Sequence, residues 1–98
     1  MKKFENFIAS RIEQAERTYI NDMLNLSTML GNMPENVYVK FTERAFVRLE
    51  NEIRFLFEQC EDILPVHCVN RLFSTYQVRG WVPEIINFYD DEAVIEED

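Results

Sequence analysis

The chain has 98 residues, of which 10 are basic and 18 acidic, giving a formal net charge of −8 with 47% hydrophobic residues. This length fits one domain with its own core. The acidic balance argues against a general role in coating nucleic acid, because contacts to phosphates need an excess of Lys and Arg. With only two Gly and three Pro, the sequence disfavours the many tight turns of a β-sandwich or barrel and indicates an all-α domain.

The N-terminal residues do not fit the pattern of a signal peptide. Lys2 and Lys3 resemble its basic start, but Glu5 and the polar residues after it interrupt the apolar stretch that must follow. No apolar run approaches the roughly 18 residues of a membrane span. Cys60 and Cys68 match neither a disulfide framework nor a zinc knuckle. We therefore expect a cytoplasmic protein with reduced thiols and no membrane partner, with a single disulfide as the alternative.

The periodicity of apolar residues predicts a long first helix. Its apolar positions recur every three or four residues, about 3.7 on average, which places them in one stripe on an α-helix: Phe4, Ile8, Ile12, Ala15, Tyr19, Met23, Leu26 and Leu30. Such a helix is roughly 40 Å long, whereas a compact sphere of this many residues is about 30 Å across. Either the first two helices form a long hairpin with a third helix against one end, or a second chain, in a homodimer or from a different protein, completes the packing.

Two more helices and a short helical segment follow. A broad apolar arc predicts a second helix that ends before Pro65: Phe41, Ala45, Phe46, Leu49, Ile53, Leu56, Phe57, Cys60, Ile63 and Leu64. Residues 37–41 also alternate like a short strand, but without a pairing candidate we favour a helix. A third helix runs from Pro65 to Gly80. Pro83 and Glu84 then read as the first turn of a short fourth helix that packs back on the body.

Charge divides the chain unevenly. Residues 1–79 hold 10 basic and 11 acidic side chains, whereas residues 80–98 hold seven acidic and no basic ones. This distribution predicts a single helical domain over residues 1–89 and an acidic C-terminal tail over residues 90–98.

The terminal segment is the strongest candidate for a partner-binding site. Apolar residues alternate there with acidic blocks, a pattern that suits docking on a protein partner with a basic surface. The residues assigned to this site are Phe88, Tyr89, Asp90, Asp91, Glu92, Val94, Ile95, Glu96, Glu97 and Asp98. Two other interpretations stay open: the carboxylates imitate the phosphates of nucleic acid, as in a DNA mimic, or the tail serves solubility alone.

A basic row forms a secondary candidate site for a partner or an anion. Lys40, Arg44 and Arg48 recur every four residues and share one helical edge, with Phe55 on the same side and outside the main apolar arc. The alternative is a solvated face, in which Arg48 pairs with Glu52 four residues later.

No residue set in the chain matches the requirements of a catalytic centre, so we expect no enzyme, cofactor or metal site. His67 adjoins Cys68, but neighbouring residues on a helix point about 100° apart, too far for a nucleophile and its base. Cys60 completes only three zinc ligands of four. The cluster at residues 90–92 lacks the glycine turn of a calcium-binding loop, and with Gly31 and Gly80 alone there is no phosphate-binding loop.

In its short length, acidity, aromatic content and scarcity of glycine, the chain resembles the small inhibitors that bacteriophages encode against host nucleases, restriction systems, CRISPR complexes or transcription enzymes. The resemblance concerns general character and assigns no residue a role. It implies an anti-restriction or anti-CRISPR type of protein in the host cytoplasm.

We therefore expect a non-enzymatic interaction protein that blocks a basic, nucleic-acid-binding surface of a host protein. The alternatives are a helical assembly module that dimerises or packs into a larger complex, and a small-ligand binder that uses the basic row.

Overall fold

Two antiparallel helices of equal length form a long hairpin, and a shorter third helix packs on it. The computed structural model describes residues 2–86, which contain α1 (Lys2–Ser27), α2 (Glu35–Cys60) and α3 (Val66–Val78). Within this range the regular secondary structure is helical throughout. Ion pairs cross between α1 and α2 at two levels, Arg11 to Glu52 and Asp22 to Arg48. The predicted all-α hairpin with a shorter third helix is confirmed.

The helix ends differ slightly from those that the periodicity predicts. α1 ends at Ser27 because the next amides bond three residues back, as Leu30 does to Ser27 (3.4 Å), and Gly31 then turns the chain at φ +85°. Pro34 and Pro65 stand directly before α2 and α3. Residues 37–41 lie in α2, which confirms the helical interpretation over the strand.

The fourth helix does not begin where the sequence predicts it. Residues 83–86 have no helical structure. Instead, Gln77 donates a hydrogen bond to the carbonyl oxygen of Pro83 (3.2 Å), and Asn70 donates one to that of Ile85 (3.1 Å). These two side chains of α3 therefore hold residues 83–85, which have no regular structure, against their own helix. The remainder of the predicted fourth helix and the acidic tail lie outside the described residues.

The core lies at one end of the hairpin. α3 packs against the N-terminal part of α1 and the C-terminal part of α2, where Val69 and Phe73 have no exposed surface and Phe73 meets Phe57 edge-on at 5.4 Å. The remaining buried members are Ile8, Ile12, Leu49, Ile53, Leu56, Cys60, Leu64, Cys68, Tyr76 and Val82. We call this covered end the proximal half, and residues 19–46 the distal half.

Polar contacts and one tryptophan fix α3 on the hairpin. The Tyr76 hydroxyl donates to the Glu16 carboxylate, and Arg71 pairs with Glu5. This pairing with Arg71 holds the pKa of the Glu5 carboxyl below its usual value. Trp81 stacks on Tyr76 (ring centroids 5.4 Å apart). Trp81 therefore lies against the last turn of α3, at the boundary between the proximal and the distal half.

The unequal coverage of the two halves predicts unequal costs of truncation. Replacing Phe73 by Ala should lower the free energy of unfolding by about 3–5 kcal/mol, because the ring is fully buried. Leu30→Ala, at a position 63% exposed, should change it by less than about 0.5 kcal/mol. Urea unfolding of dilute protein measures both values. Equal costs at the two positions would contradict the location of the core.

Candidate protein-interaction surface

The apolar stripe of α1 extends beyond the core. At the proximal end Ile8 and Ile12 are 1% and 8% exposed. Farther along the stripe Tyr19 and Met23 are only partly buried, and Leu30, just past the end of the helix, is exposed. The same apolar stripe is thus buried at the proximal end, where α3 covers it, and more exposed farther along, where α3 does not reach.

The first turns of α2 show the same loss of burial. Phe41 and Phe46 belong to the predicted apolar arc but are 50% and 39% exposed, so only part of the arc lies in the core. In all, eight large apolar side chains of the distal half or its edge are exposed: Ile20, Leu24, Met29, Leu30, Val39, Phe41, Phe46 and Val47. Where such side chains adjoin one another, they mark interaction sites on soluble proteins.

The end of α3 forms a step on the hairpin. Val78, 88% exposed, and Trp81 stand at the edge of this step. Below them, on the same side of the hairpin, lies a floor formed by Ile20 and Met23 of α1 and by Val39 and Phe46 of α2. Three observations place Ile20, Phe46 and Val39 there, and Met23 follows Ile20 by three residues on the same face of α1.

On α1, Ile20 follows Glu16, the partner of Tyr76, by four residues, so both point to the side of α3. On α2, Phe46 contacts Trp81 edge-on at 5.1 Å and Tyr19 at 6.3 Å. Val39 precedes Phe46 by seven residues and lies on the same face. The floor therefore continues the surface on which α3 packs, and no other part of residues 2–86 covers it.

The opposite side of the hairpin carries two shallow grooves of about 280 Å³ each between α1 and α2. Their rims include the Arg11–Glu52 pair (3.3 Å) and the Arg48–Asp22 pair (3.0 Å). The pairing of Arg48 with Glu52, which the solvated-face interpretation contained, is wrong. On the facing helix, Asp22 is the partner of Arg48 and Arg11 is the partner of Glu52. Sequence reasoning missed Asp22, since the contact depends on the register between the two helices.

The predicted basic row is exposed on α2. Lys40, Arg44 and Arg48 all face solvent, and Arg44 and Arg48 line the groove that also contains Phe41. Phe55 is 54% exposed and lies outside the core, as its position off the apolar arc predicts. A binding role for this row stays a prediction. The predicted partner-binding residues from Phe88 to Asp98 lie outside the described residues.

The cysteines and the histidine belong to the structural part of the molecule. Cys60 and Cys68 are buried in the proximal core, and burial raises the pKa of the Cys60 thiol to about 11. This thiol is therefore protonated at neutral pH and is a poor nucleophile. Within residues 2–86, no three His, Cys, Asp or Glu side chains converge as metal ligands do.

No protein-family model, no curated protein and no solved structure matches this chain. Among the helices of residues 2–86, none is both long enough and apolar enough to cross a membrane.

The observed ion pair predicts that Arg48 is energetically coupled to Asp22 and not to Glu52. A double-mutant cycle with Asp22→Asn and Arg48→Gln should give a coupling energy of about 0.5 kcal/mol in urea unfolding, the size usual for exposed pairs. The matched cycle with Glu52→Gln and Arg48→Gln should give a value near zero. A larger coupling in the second cycle would mean that Arg48 pairs along its own helix.

Proposed function

We propose that this chain is a protein-interaction module whose distal half packs against apolar helices of a protein partner. The observation that carries the proposal is the exposure of large apolar side chains on the floor of the step, such as Ile20 (54%) and Val39 (43%). Burying such residues against a partner is favourable by about 25 cal/mol for each Å² of apolar surface removed from water. The exposure of these side chains favours an assembly role for the chain.

The charges of the distal half support an apolar partner. Residues 19–46 contain three acidic side chains, at positions 22, 35 and 43, and two basic ones, at positions 40 and 44. This near balance gives little attraction for nucleic acid, which requires clustered Lys and Arg. The geometry of two parallel rows of apolar side chains suits the packing of helix on helix.

Site-specific photo-cross-linking tests whether the distal half is an interface. A photoreactive phenylalanine analogue at Ile20 or Val39 of the full chain should give a discrete adduct in cells. Matched positions away from the floor and from the basic row are Ile63, which is 49% exposed, and Phe7, which is 54% exposed; these should give little or none. Equal yields at all four positions, or no adduct at Ile20 and Val39, would overturn the proposal.

The acidic terminal segment supports a second candidate function, docking on a protein with a basic surface. Residues 87–98 contain six acidic and no basic side chains, whereas residues 1–86 contain 12 acidic and 10 basic ones. We propose on this basis that the segment binds, and in an inhibitor blocks, a nucleic-acid-binding surface of a partner. Attraction of this type is screened by salt, with a Debye length of about 8 Å at physiological ionic strength.

Neutralising the terminal acids distinguishes this candidate from the first. In a variant with the six terminal Asp and Glu residues replaced by Asn and Gln, a photoreactive residue at Ile95 should give far less adduct than in the natural sequence. The adducts at Ile20 and Val39 should be unchanged, because an apolar interface does not depend on these charges. An undiminished adduct at Ile95 would exclude electrostatic docking.

A further inference from the structure

The step on the hairpin suits a second copy of the same chain. Resting on the proposed function of the distal half, we propose that two copies pack floor to floor about a two-fold axis, each inserting its hairpin tip at the step edge of the other. In this arrangement Met29 and Leu30 of one copy, 40% and 63% exposed, approach Val78 and Trp81 of its partner. The four helix segments then form a short antiparallel bundle.

The dimensions of the step agree with this arrangement. From Phe46, which contacts Trp81, α2 extends back to Glu35 at the tip, a distance of roughly 16 Å at 1.5 Å per residue. The two copies are related by a two-fold axis, so the tip of the partner has the same length as the floor on which it lies. It therefore reaches the step edge. The floor is about 20 Å wide, two helix diameters. Side chains included, two such floors bury on the order of 1,000 Å², which is the lower limit for a specific interface.

Charge at the two ends of the floor is also complementary. Glu35 is exposed in the first turn of α2, at the tip. Arg79 is exposed at the step edge, with its guanidinium 5.5 Å from the centre of the Trp81 ring. The two-fold arrangement brings Glu35 of each copy near Arg79 of the other. Each dimer thus contains this pair twice, and opposite charges there favour the register that seats the tips.

The described course of the chain after α3, up to residue 86, leaves the floor open. The bond from Asn70 to the carbonyl oxygen of Ile85 directs residues 81–86 back along α3, away from the distal half. Before Val78 at the step edge, the outer face of α3 is polar, with Arg71, Ser74 and Thr75 exposed. An apolar floor is therefore better matched by the apolar floor of another copy than by the outer face of its α3.

Sedimentation and the fluorescence of Trp81, the one tryptophan of the chain, test the proposal on the full-length protein. We expect a monomer–dimer equilibrium at micromolar concentration, with a blue shift of the Trp81 emission as dimer forms and the edge loses water. Ile20→Glu should weaken dimerisation at least tenfold. The matched control Ile63→Glu should dimerise like the natural sequence. A monomer at all concentrations up to about 100 μM, roughly a hundred times the micromolar Kd expected, would overturn the dimer.

Charge reversal tests the register. Glu35→Arg and Arg79→Glu should each weaken self-association several-fold, because each places two like-charged pairs in the dimer. In the heterodimer that forms in an equimolar mixture of the two variants, both pairs again join opposite charges, one with the natural and one with the reversed polarity. The mixture should therefore dimerise far better than either variant alone and close to the natural sequence. A mixture no stronger than either variant alone would overturn the proposed contact between tip and step edge.

The mass of the cross-linked adduct separates this inference from the proposed function. An adduct at Ile20 with twice the chain mass supports the dimer. An adduct of another mass, with a monomer in sedimentation, would overturn self-association and leave the distal half as an interface for a different protein. The absence of any adduct, together with a monomer, would overturn both.

Discussion

The structure depends on a mismatch of helix lengths. α1 and α2 have 26 residues each and α3 has 13, so at 1.5 Å per residue α3 is roughly 20 Å long against roughly 39 Å for the hairpin. Among residues 2–86, a helix of this length covers one half of the face that α1 and α2 present to it and leaves the other half exposed. The position of the core, the boundary at Trp81 and the exposed apolar floor all follow from this one constraint.

Sequence periodicity was sufficient to predict the helices and the length problem but not which part of each stripe is buried. Ile8 and Leu30 occupy equivalent positions in the pattern of α1, and their exposed fractions are 1% and 63%. The difference has two causes: α1 ends at Ser27, before Leu30, and α3 covers only the proximal end. The second cause is a tertiary property. For the same reason the Arg48–Asp22 pair was missed, since it requires the register of two helices far apart in sequence. The failure at Pro83 arises from hydrogen bonds donated by α3, whose donors Asn70 and Gln77 give no local signal.

The two candidate interaction sites differ in their physics. The distal half offers apolar area, whose burial is nearly independent of salt and requires a partner of matching shape. The terminal segment offers a charge of −6 in 12 residues, which acts at longer range and weakens with salt. One chain thus combines a surface suited to stable packing with a segment suited to electrostatic recognition. The two functions do not exclude each other, because the residues that carry them are separate.

Because both cysteines are buried, the surface of the protein has no rapidly reacting thiol. The chain has two cysteines, both sealed in the proximal core, and the Cys60 thiol is protonated at neutral pH. Alkylating reagents attack the thiolate and need access to the sulfur. A single cysteine introduced at the hairpin tip would therefore be the only rapidly reacting thiol in the folded chain. Spin labels or fluorophores can thus be attached at one chosen position without removing either native residue.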